Sequence, residues 1–199
     1  MKIVLIGASG TIGQAVEREL AERHEVIRVG RTSGDYQVDI RDAASIRQLF
    51  EQTGRFDALV SATGSVHFGA LAEMQAEQFT VGLNDKLMGQ VNLLLIGREF
   101  INDGGSFTLT SGILSDDPIV AGTSASMVNG ALNSFVKAAA IELPRGLRVN
   151  VISPTVLVEA MDSYGPFFRG FKPVQAVDVA LAYAKSVEGK QTGQVYTVG

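Results

Sequence analysis

The sequence predicts an α/β protein in which a doubly wound parallel sheet of about seven strands has helices on both faces. Strand-like and helix-like segments alternate along the whole chain, the first strand is a continuous apolar run, and a glycine-rich turn joins that strand to a helix. Parallel neighbours need crossover connections, and right-handed crossovers place helices on both faces of a sheet. Because 199 residues suit one such domain better than two, we expect residues 1–199 to form a single domain.

Seven segments have the sequence character of strands. The first, Lys2–Ile6, is apolar from Ile3 onward and is followed by glycine, which is typical of a central strand buried on both faces. The remaining predicted strands are Val26–Val29, Tyr36–Ile40, Ala58–Val60, Ser106–Leu109, Arg148–Ile152 and Gln194–Val198.

The segments between these strands have helical periodicity. In the first of them Ile12, Val16 and Leu20 recur every four residues, with charged residues between them. The predicted helices are Thr11–Arg23, Ala43–Gln52, Ala76–Ile101 with breaks at Gly82 and Gly89, Ser126–Leu143 and Val174–Glu188.

Composition excludes several classes of function. A net charge of −4 and a pI near 5.2 give no basic surface, so we expect no nucleic-acid partner. The chain has no cysteine and two histidines, which argues against disulfides, thiolate chemistry and a metal site. The apolar run Val91–Ile96 is too short to cross a membrane, and we expect a cytoplasmic protein that acts on a small molecule.

A glycine-rich turn follows the first predicted strand and opens the first predicted helix. Its sequence is Gly7-Ala8-Ser9-Gly10-Thr11-Ile12-Gly13. Glycines at this spacing allow a tight turn, a close backbone approach to a phosphate and close packing of the helix on the sheet. The N-terminus of the helix offers free N–H groups to a pyrophosphate. The sequence therefore predicts a Rossmann-type dinucleotide site.

The residues after the second strand bear on which dinucleotide binds. An acidic residue there would accept a hydrogen bond from the ribose 2′-hydroxyl of NAD, whereas an arginine accommodates the 2′-phosphate of NADP. This chain has Gly30-Arg31-Thr32-Ser33, in which the guanidinium and two hydroxyls suit a phosphate. We therefore expect NADP(H) in preference to NAD(H), although Asp35 provides an alternative ribose partner.

Segments at the ends of later strands resemble the short-chain dehydrogenase/reductase family. They are Val38-Asp39-Ile40, Ser61-Ala62-Thr63-Gly64 and the run from Arg148 to Pro154. The resemblance covers essentially the whole chain. It implies that Asp39 and Ile40 contact the adenine and that Ser61, Ala62 and Gly64 lie along the cofactor, with Pro154 at the same site.

The same resemblance implies a reaction site, from which this chain departs. The family uses a serine, a Tyr-x-x-x-Lys pair and an upstream asparagine to bind and protonate a carbonyl oxygen. Ser111 corresponds to the serine, and Lys86 stands at the asparagine position. The tyrosine and lysine positions fall on Thr123 and Met127, and a threonine hydroxyl is a far weaker acid than a phenol.

Three functions remain open at this point. In the first, which we favour, the protein is an NADP(H)-dependent oxidoreductase with an atypical site. Lys86, Ser111 and Thr123 are its candidate catalytic residues, and either Lys86 or Tyr164 donates the proton. The second is a non-catalytic NADP(H)-binding sensor or regulator, and the third is another chemistry, such as epimerisation or dehydration, on the same scaffold.

Two other regions have predicted roles, one as a cover for the substrate and one as a surface for self-association. The aromatic-rich segment Val156–Lys172 is expected to form an apolar lid over the substrate, and Glu159 stands where relatives often have a threonine that contacts the nicotinamide amide. The long helices Ala76–Ile101 and Ser126–Leu143 are apolar beyond one face, which predicts a homodimer or homotetramer formed through them.

Overall fold

Seven strands form one sheet in which every neighbouring pair is parallel. The computed structural model describes residues 1–199. The strands are β1 (Lys2–Ile6), β2 (Glu25–Gly30), β3 (Tyr36–Gln37), β4 (Phe56–Ser61), β5 (Ile101–Thr110), β6 (Arg148–Pro154) and β7 (Val195–Val198). Their order is β3-β2-β1-β4-β5-β6-β7, so the direction of winding reverses between β1 and β4. Ligands of doubly wound sheets bind beyond the carboxyl ends of the strands at this reversal.

Helices connect the strands. They are α1 (Thr11–Ala21), α2 (Ala43–Thr53), α3 (Ala76–Gly82), α4 (Met88–Gly97), α5 (Thr123–Glu142), α6 (Met161–Tyr164) and α7 (Ala176–Glu188). A π-helical segment, Leu83–Leu87, joins α3 to α4, and short 3₁₀ turns occupy Leu71–Glu73, Ile113–Ser115 and Val158–Ala160. None of the helices has the length and apolar content that crossing a membrane requires.

Helices cover both faces of the sheet, so the sheet separates two apolar cores. Alternate residues of a strand point to opposite faces, and β1 shows this directly. Val4 and Ile6 belong to a core of 20 buried residues that includes side chains of α2, α4 and α5. Ile3 and Leu5 belong to a second core of 15 buried residues, formed with α1 and α7. The predicted fold class is confirmed.

Several predicted element boundaries differ from the structure. The third strand ends at Gln37, because beyond its two pairs with Val29 and Gly30 this edge strand has no further partner. The predicted helix 76–101 is broken as expected after Gly82, but Gly89, the second expected break, lies inside α4, and the helix ends at Gly97. Ile101 instead pairs with Phe56 and begins β5, which is longer than predicted.

Two glycines of the first turn are required by the fold itself. Gly7 has φ of +85°, in the left-handed region that side chains other than glycine rarely adopt. A Cβ atom at Gly13 would collide with the backbone carbonyl oxygen of Gly7. Gly13 therefore sets how closely α1 packs against the turn that follows β1.

Replacing Gly13 by alanine should destabilise the protein by about 2 kcal/mol or more, because the atoms in its way belong to the backbone. The matched control is Gly130→Ala in the interior of α5, where a Cβ meets nothing within 4 Å. That change should stabilise the helix by about 0.5–1 kcal/mol. Urea unfolding of both variants measures the difference, and equal effects would contradict this account of the turn.

Candidate active site

Two adjoining cavities lie beyond the carboxyl ends of the strands, at the point where the winding reverses. The smaller, of about 240 Å³, is lined by residues that follow β1, β2, β3 and β4. The larger, of about 510 Å³, is lined by residues that follow β4, β5 and β6, together with parts of α5 and α6. Both contain Ala62, Thr63 and Ser65, so they form one continuous groove.

The glycine turn at the smaller cavity has room for an anionic group. A Cβ at Gly10 would meet no protein atom closer than the carbonyl oxygen of Gly7 at 3.5 Å, so packing does not require a glycine there. Gly10 is exposed and borders the cavity, and no side chain caps the N-terminus of α1. Free N–H groups at an uncapped helix start suit a pyrophosphate, so these residues fit a dinucleotide.

Asp35, the alternative ribose partner, is hydrogen-bonded to Arg28. Its carboxylate accepts hydrogen bonds from the backbone N–H of Arg28 at 2.9 Å and from the Arg28 guanidinium at 2.6 Å. These hydrogen bonds hold the pKa of Asp35 below its usual range. Asp35 also lies outside the groove, so its carboxylate is not placed to bind a ligand there.

Arg31, in contrast, borders the smaller cavity, and its guanidinium makes no hydrogen bond within the protein. Its side chain is 61% exposed, and its one ionic contact is with Asp39 at 3.9 Å. Arg41 holds that same carboxylate through hydrogen bonds from its backbone N–H and its guanidinium, which keep the pKa of Asp39 well below its usual range. The Arg31 guanidinium is therefore free to bind a ligand.

The structure brings most of the predicted cofactor residues to the groove, but not all of them. Those that line it are Gly7, Ser9, Gly10, Ile12, Arg31, Asp39, Ile40, Ala62, Gly64 and Pro154. Those that do not are Thr11, Gly13, Thr32, Ser33 and Ser61. Gly13 packs against Gly7, Ser61 is buried within the sheet, and Thr11, Thr32 and Ser33 are exposed to solvent.

Lys86 carries the only charge among the residues that line the larger cavity. It lies in the π-helical segment, and π-helical turns are frequent at functional sites. Its Nζ donates a hydrogen bond to the carbonyl oxygen of Ser111 at 2.9 Å, and its stem packs on Gly64, where a Cβ would press against it. Burial lowers the pKa of Lys86 to about 8.

Gln90 fixes the segment that carries Lys86 against the end of β5. Its buried amide donates to the carbonyl oxygens of Lys86 at 3.0 Å and Thr110 at 2.8 Å, and it accepts from the N–H of Thr110 at 2.8 Å. Sequence reasoning missed this residue. The available signal was a polar side chain directly before the mostly apolar segment Val91–Ile96.

Ser111 and Lys86 come together as predicted, but Thr123 does not join them. Thr123 is exposed in the first turn of α5 and is not among the residues that line the cavity, and Met127 is also exposed. The residues of α5 that line it are Ala125 and Asn129. Two residues along a helix turn the side chain by about 200°, so the predicted pair lies on nearly the opposite face from the cavity.

Asn129 is the second residue that sequence reasoning missed. It is 3% exposed, and its Oδ1 is buried without a hydrogen-bond partner. A Cβ at Gly112 would lie 3.0 Å from its Nδ2, so the glycine after Ser111 makes room for this amide. An asparagine at apolar helical spacing with Ala125 and Leu132 was the available signal.

Apolar and aromatic side chains form the far end of the larger cavity. Tyr164 and Phe168 come from the predicted lid segment, and the ring of Tyr164 lies 6.0 Å from that of Phe68. Glu159 does not line the cavity, because its carboxylate accepts a hydrogen bond at 2.9 Å from the N–H of Ala176, at the start of α7. The remaining apolar lining comes from Val66, Ile113, Leu114, Val156 and Leu157.

Comparison with known proteins gives consistent matches over this fold. A family model described as enoyl-(acyl carrier protein) reductase matches residues 3–195. The crystal structure of the protein lin1944 from Listeria innocua is 55% identical and covers 100% of both chains, with a TM-score of 0.99. A crystal structure described as a small-chain dehydrogenase in complex with NADPH is 28% identical and covers 100% of this chain and 96% of that one, with a TM-score of 0.88.

Curated relatives are more distant and longer. An uncharacterized oxidoreductase of Methylorubrum extorquens is 28% identical over 78% of this chain and 72% of its own length. A short-chain dehydrogenase/reductase of Pestalotiopsis microspora is 28% identical over 74% of this chain, and the match spans 59% of that protein.

Proposed function

Because the chain belongs to the short-chain dehydrogenase/reductase family, we propose that it is an NADP(H)-dependent oxidoreductase acting on a small carbonyl compound or the corresponding alcohol. The observation that carries the proposal is Lys86, a partly buried ammonium beside Ser111 in a largely apolar cavity that adjoins the smaller cavity. Such a group can polarise and protonate a carbonyl oxygen.

Arg31 and the glycine turn would hold the cofactor. The turn at Gly10 and the uncapped start of α1 suit the pyrophosphate, and the unengaged guanidinium of Arg31 suits a 2′-phosphate. The NADPH complex of a 28% identical neighbour supports this choice. When bound, the cofactor supplies or accepts the hydride of the reaction.

Ser111 and Lys86 would act on the substrate oxygen. The Ser111 hydroxyl has only a long contact of 3.5 Å, to the carbonyl oxygen of Ile152, and so can donate to a ligand. Lys86 uses one N–H for Ser111 and retains two. A lysine whose pKa is about 8 gives up a proton more readily than a solvated lysine.

Neither of the α5 residues that line the cavity can replace Lys86 in proton transfer. Ala125 and Asn129 are spaced four apart, like the tyrosine and lysine of the family pattern, but neither has a group that titrates near neutral pH. Tyr164 is the other side chain of the cavity that has an ionisable proton. We therefore assign proton donation to Lys86, with Tyr164 as the residue to test against it.

Replacing Arg31 by alanine should weaken NADPH binding about 10- to 100-fold and leave NADH binding nearly unchanged, because charge-assisted hydrogen bonds to the 2′-phosphate are lost. Arg47→Ala, which removes an exposed ion pair with Glu99 outside the groove, is the control and should change neither affinity. Calorimetric titration measures both. Equal affinity of the unmodified protein for NADPH and NADH would contradict the role of Arg31.

Replacing Lys86 by methionine should lower kcat/KM for NADPH-dependent carbonyl reduction about 100-fold or more. In the unmodified enzyme the rate should fall as pH rises through about 8, because reduction needs the protonated ammonium and the pKa of Lys86 lies there. The variant should lose that alkaline limb. Rates of NADPH oxidation over a range of pH provide the measurement.

Two further variants complete that experiment. Lys137→Met, on the exposed side of α5, is the matched control and should keep both rate and pH profile. Tyr164→Phe should keep the alkaline limb, and its loss in that variant would transfer the donor role to Tyr164. Tight NADPH binding without reduction of any aldehyde, ketone or quinone would favour a non-catalytic sensor instead.

We also propose that the protein self-associates through α4 and α5. Met88 and Leu95 of α4, and Met127 and Ile141 of α5, are exposed large apolar side chains. Burying such surface favours association, and symmetric dimers bring the same helices together.

A further inference from the structure

The charge of Lys86 has no counter-ion in the protein. No aspartate or glutamate lines the larger cavity, and Lys86 forms no ion pair. Asp85, its neighbour in the chain, instead accepts a hydrogen bond from the N–H of Ser65 at 2.7 Å. Desolvation of a partly buried ammonium with a single neutral partner costs free energy, and an anionic ligand would offset that cost.

Asn129 is the second polar group in this cavity that lacks a partner. It is nine-tenths or more buried, its Oδ1 is buried without a hydrogen-bond partner, and its amide N–H₂ donates to no protein atom. Lys86 contacts Ser111, and the amide of Asn129 lies against Gly112, the next residue. Lys86, from the π-helical segment, and Asn129, from α5, therefore lie on either side of Ser111-Gly112, directly after β5.

We propose that the larger cavity binds small carboxylates with an apolar body and that Lys86 and Asn129 hold the carboxylate. One of the two free N–H groups of Lys86 and the amide N–H₂ of Asn129 can donate to the two oxygens of a carboxylate, and the other free N–H of Lys86 remains for the carbonyl oxygen of an oxo acid. Phe68, Tyr164 and Phe168 provide the apolar surface for the rest of the ligand. The substrates of the reaction are then apolar oxo acids and hydroxy acids, an assignment that rests on the proposed function, whereas the anion site does not.

Benzoate and benzamide test the proposal, since they share size and shape and differ in charge. Calorimetric titration should be performed on the protein alone and on the protein saturated with NADP. Benzoate should bind about tenfold or more tightly than benzamide, because hydrogen bonds to a charged group are the stronger kind. Lys86→Met should bring the ratio close to one, and Lys137→Met should leave it unchanged.

Asn129→Leu separates a ligand-binding role from a structural one. Leucine has nearly the shape of asparagine and removes a buried polar atom that has no partner, so Tm should stay the same or rise. Benzoate affinity should nevertheless fall about threefold to tenfold. A drop in Tm with benzoate affinity unchanged would show that the amide serves the fold and would overturn its assigned role.

The two proposals fail in different ways. Equal binding of benzoate and benzamide, or a preference for benzoate that survives Lys86→Met, would overturn the anion site while leaving carbonyl reduction intact. Lys86-dependent benzoate binding by a protein that reduces no carbonyl compound would support the anion site and contradict the proposed reaction.

Discussion

The parallel arrangement of the sheet is the constraint on which both parts of the site depend. Every strand ends at the same edge, and the winding reverses between β1 and β4, so the connections on either side diverge there and leave a groove. Gly10 and Arg31 reach that groove from one side of the reversal, and Lys86, Ser111 and Asn129 reach it from the other. Close packing of α1 through Gly13 maintains the geometry of the turn at its centre.

The groove has unpaired positive charge, whereas the carboxylates near it are paired with arginines. Arg31 at one end and Lys86 at the other are cations without short ionic partners, whereas Asp35 and Asp39 are held by Arg28 and Arg41. Gln90 keeps Lys86 in place through backbone hydrogen bonds, so the ammonium is fixed by neutral contacts alone. A groove built in this way favours ligands that carry negative charge at both ends.

Patterns local in sequence predicted the fold and the tight glycine turn after β1, because strand hydrophobicity and glycine spacing are determined by neighbouring residues. Predictions that depend on which side chains meet in the folded protein could not be made from such patterns. The sequence does not show that Arg28 donates hydrogen bonds to Asp35, or that Oδ1 of Asn129 is buried without a partner. The family pattern was placed on Thr123 and Met127, whereas Ala125 and Asn129, two residues later, line the cavity. Both placements fit the sequence, but two residues along a helix move a side chain to another face.

Transfer of deuterium from the cofactor to a substrate would show whether hydride moves within this groove. The protein would be incubated with aldehydes and ketones, apolar oxo acids included, and NADPH that carries deuterium at both positions of the nicotinamide carbon that donates hydride. The account predicts an alcohol product with one deuterium on its carbinol carbon, formed far more slowly by Lys86→Met. Tight NADPH binding without any deuterated product would contradict it.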